Sequence, residues 1–193
     1  MRTDRRLQKI RRILRHRQPD LTVVLENIHD PHNVSAILRS ADAVGVLEVN
    51  LVYTTEEFPK IGRKSSASAS KWVGRRKYPS VEECFADLRQ RGFKIYASQL
   101  DSKALSLFDL DMKNKVALVF GNEHRGVSDE AAALADARFM IPMYGMLESL
   151  NVSVACAVSL YEASRQRLLH GQYSKPRLNE ALLRALAEEW SKK

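Results

Sequence analysis

Four short runs of apolar, largely β-branched residues, each closed by a turn, constrain this chain more than any other feature. They cover residues 21–25, 46–53, 93–97 and 116–120. Between them the apolar residues fall at helical spacing. Val34, Ile37, Leu38, Ala41 and Val44 follow an Asp-Pro-His-Asn turn at 30–33 and stop at Gly45, while Val81, Phe85 and Leu88 precede Gly92. Strands that alternate with helices imply a mainly parallel sheet covered by helices, an α/β fold. A helix over 3–16, a short one near 130–135, a strand at 139–141, a loop over 142–149, a long helix over 150–169 and a last amphipathic helix over 178–190 complete the pattern. Residues 54–71, with Pro59, Gly62 and a Ser/Ala run, show no period and are predicted to form a flexible basic loop. The 193 residues suffice for one substantial core. The expected organisation is a basic amino-terminal helix (1–18), one domain (19–170) and a helical extension (171–193).

Charge is informative by position. Residues 1–18 hold eight Lys/Arg against Asp4, a net of +7, and residues 58–81 hold seven with no acid. The whole chain carries +8, so all the rest is −6. Positive charge confined to two segments fits phosphate-backbone binding. A basic amphipathic helix can also lie on a membrane, but the stripe Leu7, Ile10 and Leu14 is narrow and lacks Trp or Phe. No apolar run approaches the roughly 20 residues that span a bilayer. Cys84 and Cys156 lack the paired spacing of a metal site, and no secretory signal is visible, so a reduced, cytoplasmic protein is expected.

In such sheets ligands bind at the carboxyl ends of strands, here after Leu25, Phe120 and Ile141. The chain has no G-x-G-x-x-G, no P-loop and no H-E-x-x-H. His29 and His32 flank a proline turn with no third ligand nearby in sequence, so they read as polar turn residues and no metal is expected. Three segments stand out. Asn33 opens a helix with Arg39 six residues on, where a guanidinium among apolar residues must find a partner or reach water. Residues 120–128, Phe-Gly-Asn-Glu-His-Arg-Gly-Val-Ser, form a glycine-flanked acidic turn after a buried strand. Residues 141–155 end a strand in a loop of backbone amides, with Ser149 or Asn151 at the cap of an apolar helix.

Together these segments resemble the TrmH family of the SPOUT superfamily, the tRNA guanosine 2′-O-methyltransferases. The likeness begins at Arg17-Gln-Pro-Asp-Leu-Thr, continues through His-Asn-Val-Ser-Ala-Ile-Leu-Arg-Ser-Ala-Asp-Ala-Val-Gly over 32–45, and closes with Ser-Leu-Asn-Val-Ser-Val-Ala over 149–155 and Tyr-Glu-Ala-Ser-Arg-Gln-Arg over 161–167. The resemblance implies a trefoil knot in the carboxyl half, a homodimer with the site completed across its interface, S-adenosyl-L-methionine as cofactor, and guanosine 18 in the D-loop of tRNA as target. It places Ser98, Gly121, Ile141 and Leu150 around the cofactor, and Asn33, Arg39, Glu123, Ser149 and Asn151 in the catalytic set. RNA contact is expected of Arg6, Arg11, Arg12, Arg17, Lys64, Arg165 and Arg167. The family gives Arg39 the task of activating the hydroxyl; because a guanidinium almost never loses its proton, stabilising the developing alkoxide and gripping a phosphate suits it better. The basic loop here, Lys-Ser-Ser-Ala-Ser-Ala-Ser over 64–70, departs from the family pattern in having no glycine, and Lys175 stands before Pro176 where an arginine is expected. Rival readings are a 2′-O-methyltransferase for ribosomal RNA or another tRNA loop, an RNA-binding module without catalysis, and a nucleotide-binding oxidoreductase.

Overall fold

The structure, a computed structural model, describes residues 4–60 and 69–193. Residues 61–68 of the expected basic loop, Lys64 among them, lie outside the described residues. The chain runs α1 (Asp4–Arg15), β1 (Leu21–Glu26), α2 (Pro31–Ala43), β2 (Glu48–Val52), β3 (Gly74–Tyr78), α3 (Val81–Gln90), β4 (Lys94–Ser98), β5 (Leu105–Ser106), β6 (Val116–Phe120), α4 (Asp129–Leu134), β7 (Ala137–Met140), α5 (Val152–Leu169) and α6 (Glu180–Ser191). The seven strands form one sheet in the order β3-β2-β1-β6-β4-β7-β5, and every pairing is parallel. The expected α/β architecture is therefore the observed one.

The central strands β1 and β6 are buried at every residue, as strands covered on both faces must be. Side chains alternate across the sheet: Leu21, Val23 and Leu25 join the core beneath α2 and α5, while Val24, Ala117 and Val119 join the core beneath α3 and α4. A third cluster lies outside the sheet, where Ile10 and Leu14 of α1 pack with Trp190 of α6 and with Trp72. The two terminal extensions are thus fastened to each other.

Two strands escape the sequence reading. β3 is Gly-Arg-Arg-Lys-Tyr, largely exposed, and has no apolar face to betray it; β5 has two residues. β3 exists because its backbone pairs with β2 from Glu48↔Gly74 to Val52↔Tyr78. Helix starts follow local chemistry. Asp30 caps α2 ahead of Pro31, and Asn151, rather than Ser149, caps α5 by accepting from Ser153 N at 2.9 Å and Val154 N at 3.4 Å. At the end of α2, Gly45 adopts φ +86°, and a Cβ there would lie 2.6 Å from the His16 carbonyl oxygen.

Two expectations are corrected by packing. Arg17 and Arg167 were expected to contact RNA, yet both are 0% exposed. Arg17 donates to Val46 O at 2.9 Å, pairs with Asp42 at 2.5 Å and stacks 5.0 Å from the Trp190 ring. Arg167 pairs with Asp20 and donates to Gln18 Oε1 at 3.2 Å, Met112 O at 2.9 Å and Asp20 O at 3.0 Å. A guanidinium with this many internal acceptors is a bolt of the fold, because its burial requires those partners.

Candidate active site

The chain leaves β1 toward β2 on one side and β6 toward β7 on the other, so the loops after these two strands open a crevice at the carboxyl end of the sheet. Beside it lies a cavity of about 630 Å³, built from the segments that follow β4, β6 and β7 and from the start of α5. That volume suits a cofactor-sized ligand. Ser98, Gly121, Ile141 and Leu150 all line it, as do Ser149 and Asn151.

The wall after β6 is tightly folded. Asn122 and Gly126 form an antiparallel bridge, and a Cβ added to Gly121 would meet the Gly126 carbonyl oxygen at 2.1 Å. Only glycine permits this closeness. Asn122 holds the turn, donating to Asn27 O at 2.9 Å while its Oδ1 accepts from His124 N at 3.0 Å and Arg125 N at 3.2 Å. Gln99, also in the lining, keeps its buried Oε1 without a hydrogen-bond partner among the described residues. A buried acceptor left open beside a cavity suits a ligand that brings a donor.

Three residues expected in the catalytic set meet directly. Glu123 accepts from Asn33 Nδ2 at 2.9 Å and from the backbone amides of His29 and Asp30, both at 3.0 Å. Asn33 Oδ1 in turn accepts from Asn151 Nδ2 at 3.1 Å. This chain of amides fastens the start of α2, the turn after β6 and the cap of α5 to one another. Partial burial works against the Glu123 charge, but donation from Asn33, His29 and Asp30 prevails and holds its carboxyl below the ordinary glutamate range.

Arg39 stands apart. It lies about 9 Å along α2 from Asn33 and does not line the cavity; it is exposed, without a hydrogen bond or ion pair among the described residues. Ser149 is likewise exposed at the cavity rim. Arg6, Arg11 and Arg12 project from α1 into solvent, and Arg165 is exposed but held by two 2.8 Å hydrogen bonds to Glu162. Among the described residues no three His, Cys, Asp or Glu side chains converge to hold a metal ion. His29 instead pairs with Glu56 at 3.1 Å, and Glu56 pairs with Arg125 at 2.8 Å. No helix among the described residues is long and apolar enough to cross a membrane.

Sequence reasoning missed Gln99, Asn122 and Asn27. Asn27 had a signal, since a polar residue just after a buried strand begins the ligand-facing end. It adopts φ 51°, and its Oδ1 accepts from the amides of Thr54 and Thr55 at 2.9 and 3.0 Å, tying the β2 loop to the crevice.

With this geometry in view, comparison with known proteins is direct. Residues 20–161 match the model of the SpoU rRNA Methylase family. A Thermus thermophilus protein named tRNA (guanosine(18)-2′-O)-methyltransferase is 50% identical over 192 residues, covering 100% of this chain and 98% of the relative. The crystal structure of an Aquifex aeolicus TrmH/SpoU tRNA modifying enzyme superposes with a TM-score of 0.92 at 39% identity, covering 98% of this chain and 96% of the other. A SpoU methyltransferase, AviRb from Streptomyces viridochromogenes, solved in complex with AdoMet, matches at TM-score 0.69 and 29% identity over 78% of this chain and 59% of that one. A family model that spans the sheet and the cavity, joined to relatives that align from end to end, places this chain in the SpoU rRNA Methylase family.

Proposed function

We propose that the protein methylates the ribose 2′-hydroxyl of guanosine 18 in the tRNA D-loop with S-adenosyl-L-methionine, as a cytoplasmic homodimer. The observation that carries this reading is the Glu123–Asn33–Asn151 chain at the edge of a cavity walled by strand-end backbone. Near full-length likeness to proteins named for that reaction supports the substrate.

Gly121, Ile141, Leu150 and Ser98 would hold the cofactor, and the open Gln99 Oε1 fits one of its donor groups. When bound, S-adenosyl-L-methionine supplies an electrophilic methyl group on a sulfonium. The chain's own residues then have to align the 2′-oxygen and stabilise the charge that develops on it. Asn151 and Ser149 would fix the ribose, and Glu123 holds Asn33. Arg39, permanently charged and uncommitted, stabilises the alkoxide and grips a neighbouring phosphate.

The distance of Arg39 from the cavity of its own chain supports assembly of the site by two copies. So does α5. Val154, Tyr161 and Leu168 recur every seven residues on one face and are 46%, 58% and 65% exposed, and Tyr144, Met146 and Leu147 in the loop before α5 are exposed as well. An apolar patch of this kind marks an interface. The same reading carries the carboxyl-half knot and the roles of the terminal segments, with α1 docking RNA and residues 19–170 supplying the chemistry. The test is to incubate the protein with unmodified tRNA and labelled cofactor, then map the phosphodiester that becomes resistant to alkali. Resistance at guanosine 18 is the expected result. Label on a base, or at a different nucleotide of the tRNA, overturns the reading.

A further inference from the structure

We infer that the exposed edge strand β3 is a second RNA-backbone contact, in which Arg75 and Lys77 hold phosphates beside α1 and away from the chemistry. The inference rests on RNA as the substrate. Among the described residues β3 ends the sheet and pairs with β2 alone. Gly74 N donates to Leu47 O at 2.9 Å, so by the alternation of a parallel ladder the backbone of Gly74, Arg76 and Tyr78 faces β2, while that of Arg75 and Lys77 faces the open edge.

The side chains divide in the same rhythm. Arg76 is committed, with Glu48 at 3.1 Å and Asp87 at 3.6 Å. Arg75 and Lys77 are exposed and make no ion pair among the described residues; Lys77 rests 5.7 Å from the Phe58 ring. They stand about 7 Å apart along the strand, far enough for each to meet its own phosphate. An edge strand so short and so cationic also resists pairing with another sheet, which fits a polyanion better than a protein strand.

Position links this edge to the basic helix. Two residues before β3, Trp72 packs against Trp190 with ring centroids 5.1 Å apart, within the cluster that seats Ile10 and Leu14 of α1. Exposed Lys71 adjoins it. Lys71 and the start of β3 thus follow directly on the hub that seats α1, and Lys77 lies farther along the strand beside Phe58. β3 lies three strands from β6, roughly 15 Å across the sheet. Contacts there set the register of the RNA without touching the reacting ribose.

The experiment measures affinity for an unmodified tRNA transcript across a salt series for the wild type, for Arg75→Gln with Lys77→Gln, and for Arg76→Gln. Each lost phosphate contact should reduce the slope of log affinity against log salt by roughly 0.7–0.9, so the double variant should lose about 1.5. Its thermal unfolding and cofactor affinity should match the wild type, and Arg76→Gln should keep the wild-type slope. A double variant with unchanged slope, or an Arg76→Gln variant that loses as much, overturns the inference. Failure of the functional reading would look different: the wild type would bind tRNA without transferring a methyl group, while the slopes would still report on the strand.

Discussion

The arginines of this protein include exposed ones and buried ones with many internal partners. Arg39 is exposed and uncommitted, so Arg39→Ala should leave unfolding and cofactor affinity near wild type and abolish methyl transfer; substantial turnover, read by label incorporated into tRNA, would remove it from the mechanism. Arg167→Ala should do the reverse. It leaves Asp20 only the half-exposed Arg177 as an ionic partner and strips Gln18 Oε1 and Met112 O of their donor, and breaking a buried pair costs up to about 3–5 kcal/mol, which denaturant titration will register. Sequence could not tell these arginines apart, because burial is decided by distant segments: Asp20 lies 147 residues from Arg167. For the same reason the members of the amide chain were legible one at a time while their junction was not, since Asn33 and Glu123 are 90 residues apart. Glu123 adds a pH signature. Its folded pKa is depressed, so its stabilising contribution is complete above the unfolded glutamate value of about 4.3 and fades as pH falls through the folded one. Glu123→Gln should flatten stability against pH in that acid window, whereas an unchanged profile would mean that the carboxylate is not held as described.

Elements were legible where their burial leaves a mark in composition. β6 is apolar at every position and β1 at four of six because both faces are covered, and α2 shows its buried face at helical spacing. β3 left no such mark, since its partners are backbone groups of β2. The turn after β6 is an element of another kind, closed by backbone contact at Gly121. Gly121→Ala must push the Gly126 carbonyl away. A displacement of about 1 Å in a wall that positions a reactant can cost roughly a hundredfold in rate, so cofactor binding measured calorimetrically should weaken and transfer should collapse. Wild-type affinity in that variant would place the cofactor elsewhere. On α1, replacing exposed Arg5, Arg6 and Arg12 by Gln should flatten the salt dependence of tRNA binding by about two units without altering cofactor affinity, if each holds one phosphate.

The whole molecule joins a chemical end to a docking side. The cavity sits at the carboxyl ends of β4, β6 and β7, whereas α1 and α6 pack around Trp72 and Trp190, and β3 begins two residues after Trp72. A second copy covering the α5 stripe would bring in a further Arg39, so equilibrium sedimentation should give twice the 21.9 kDa chain mass, and Tyr161→Asp should lower both mass and activity. A fully active monomer would exclude a shared site. The central claim is that the methyl group goes to a ribose oxygen of tRNA. It is tested most directly by a tRNA carrying one 2′-deoxyguanosine at position 18, the guanosine named for the Thermus thermophilus relative. The account requires that this RNA bind with wild-type affinity and accept no label, while the all-ribose control is methylated. Equal labelling of both would contradict it.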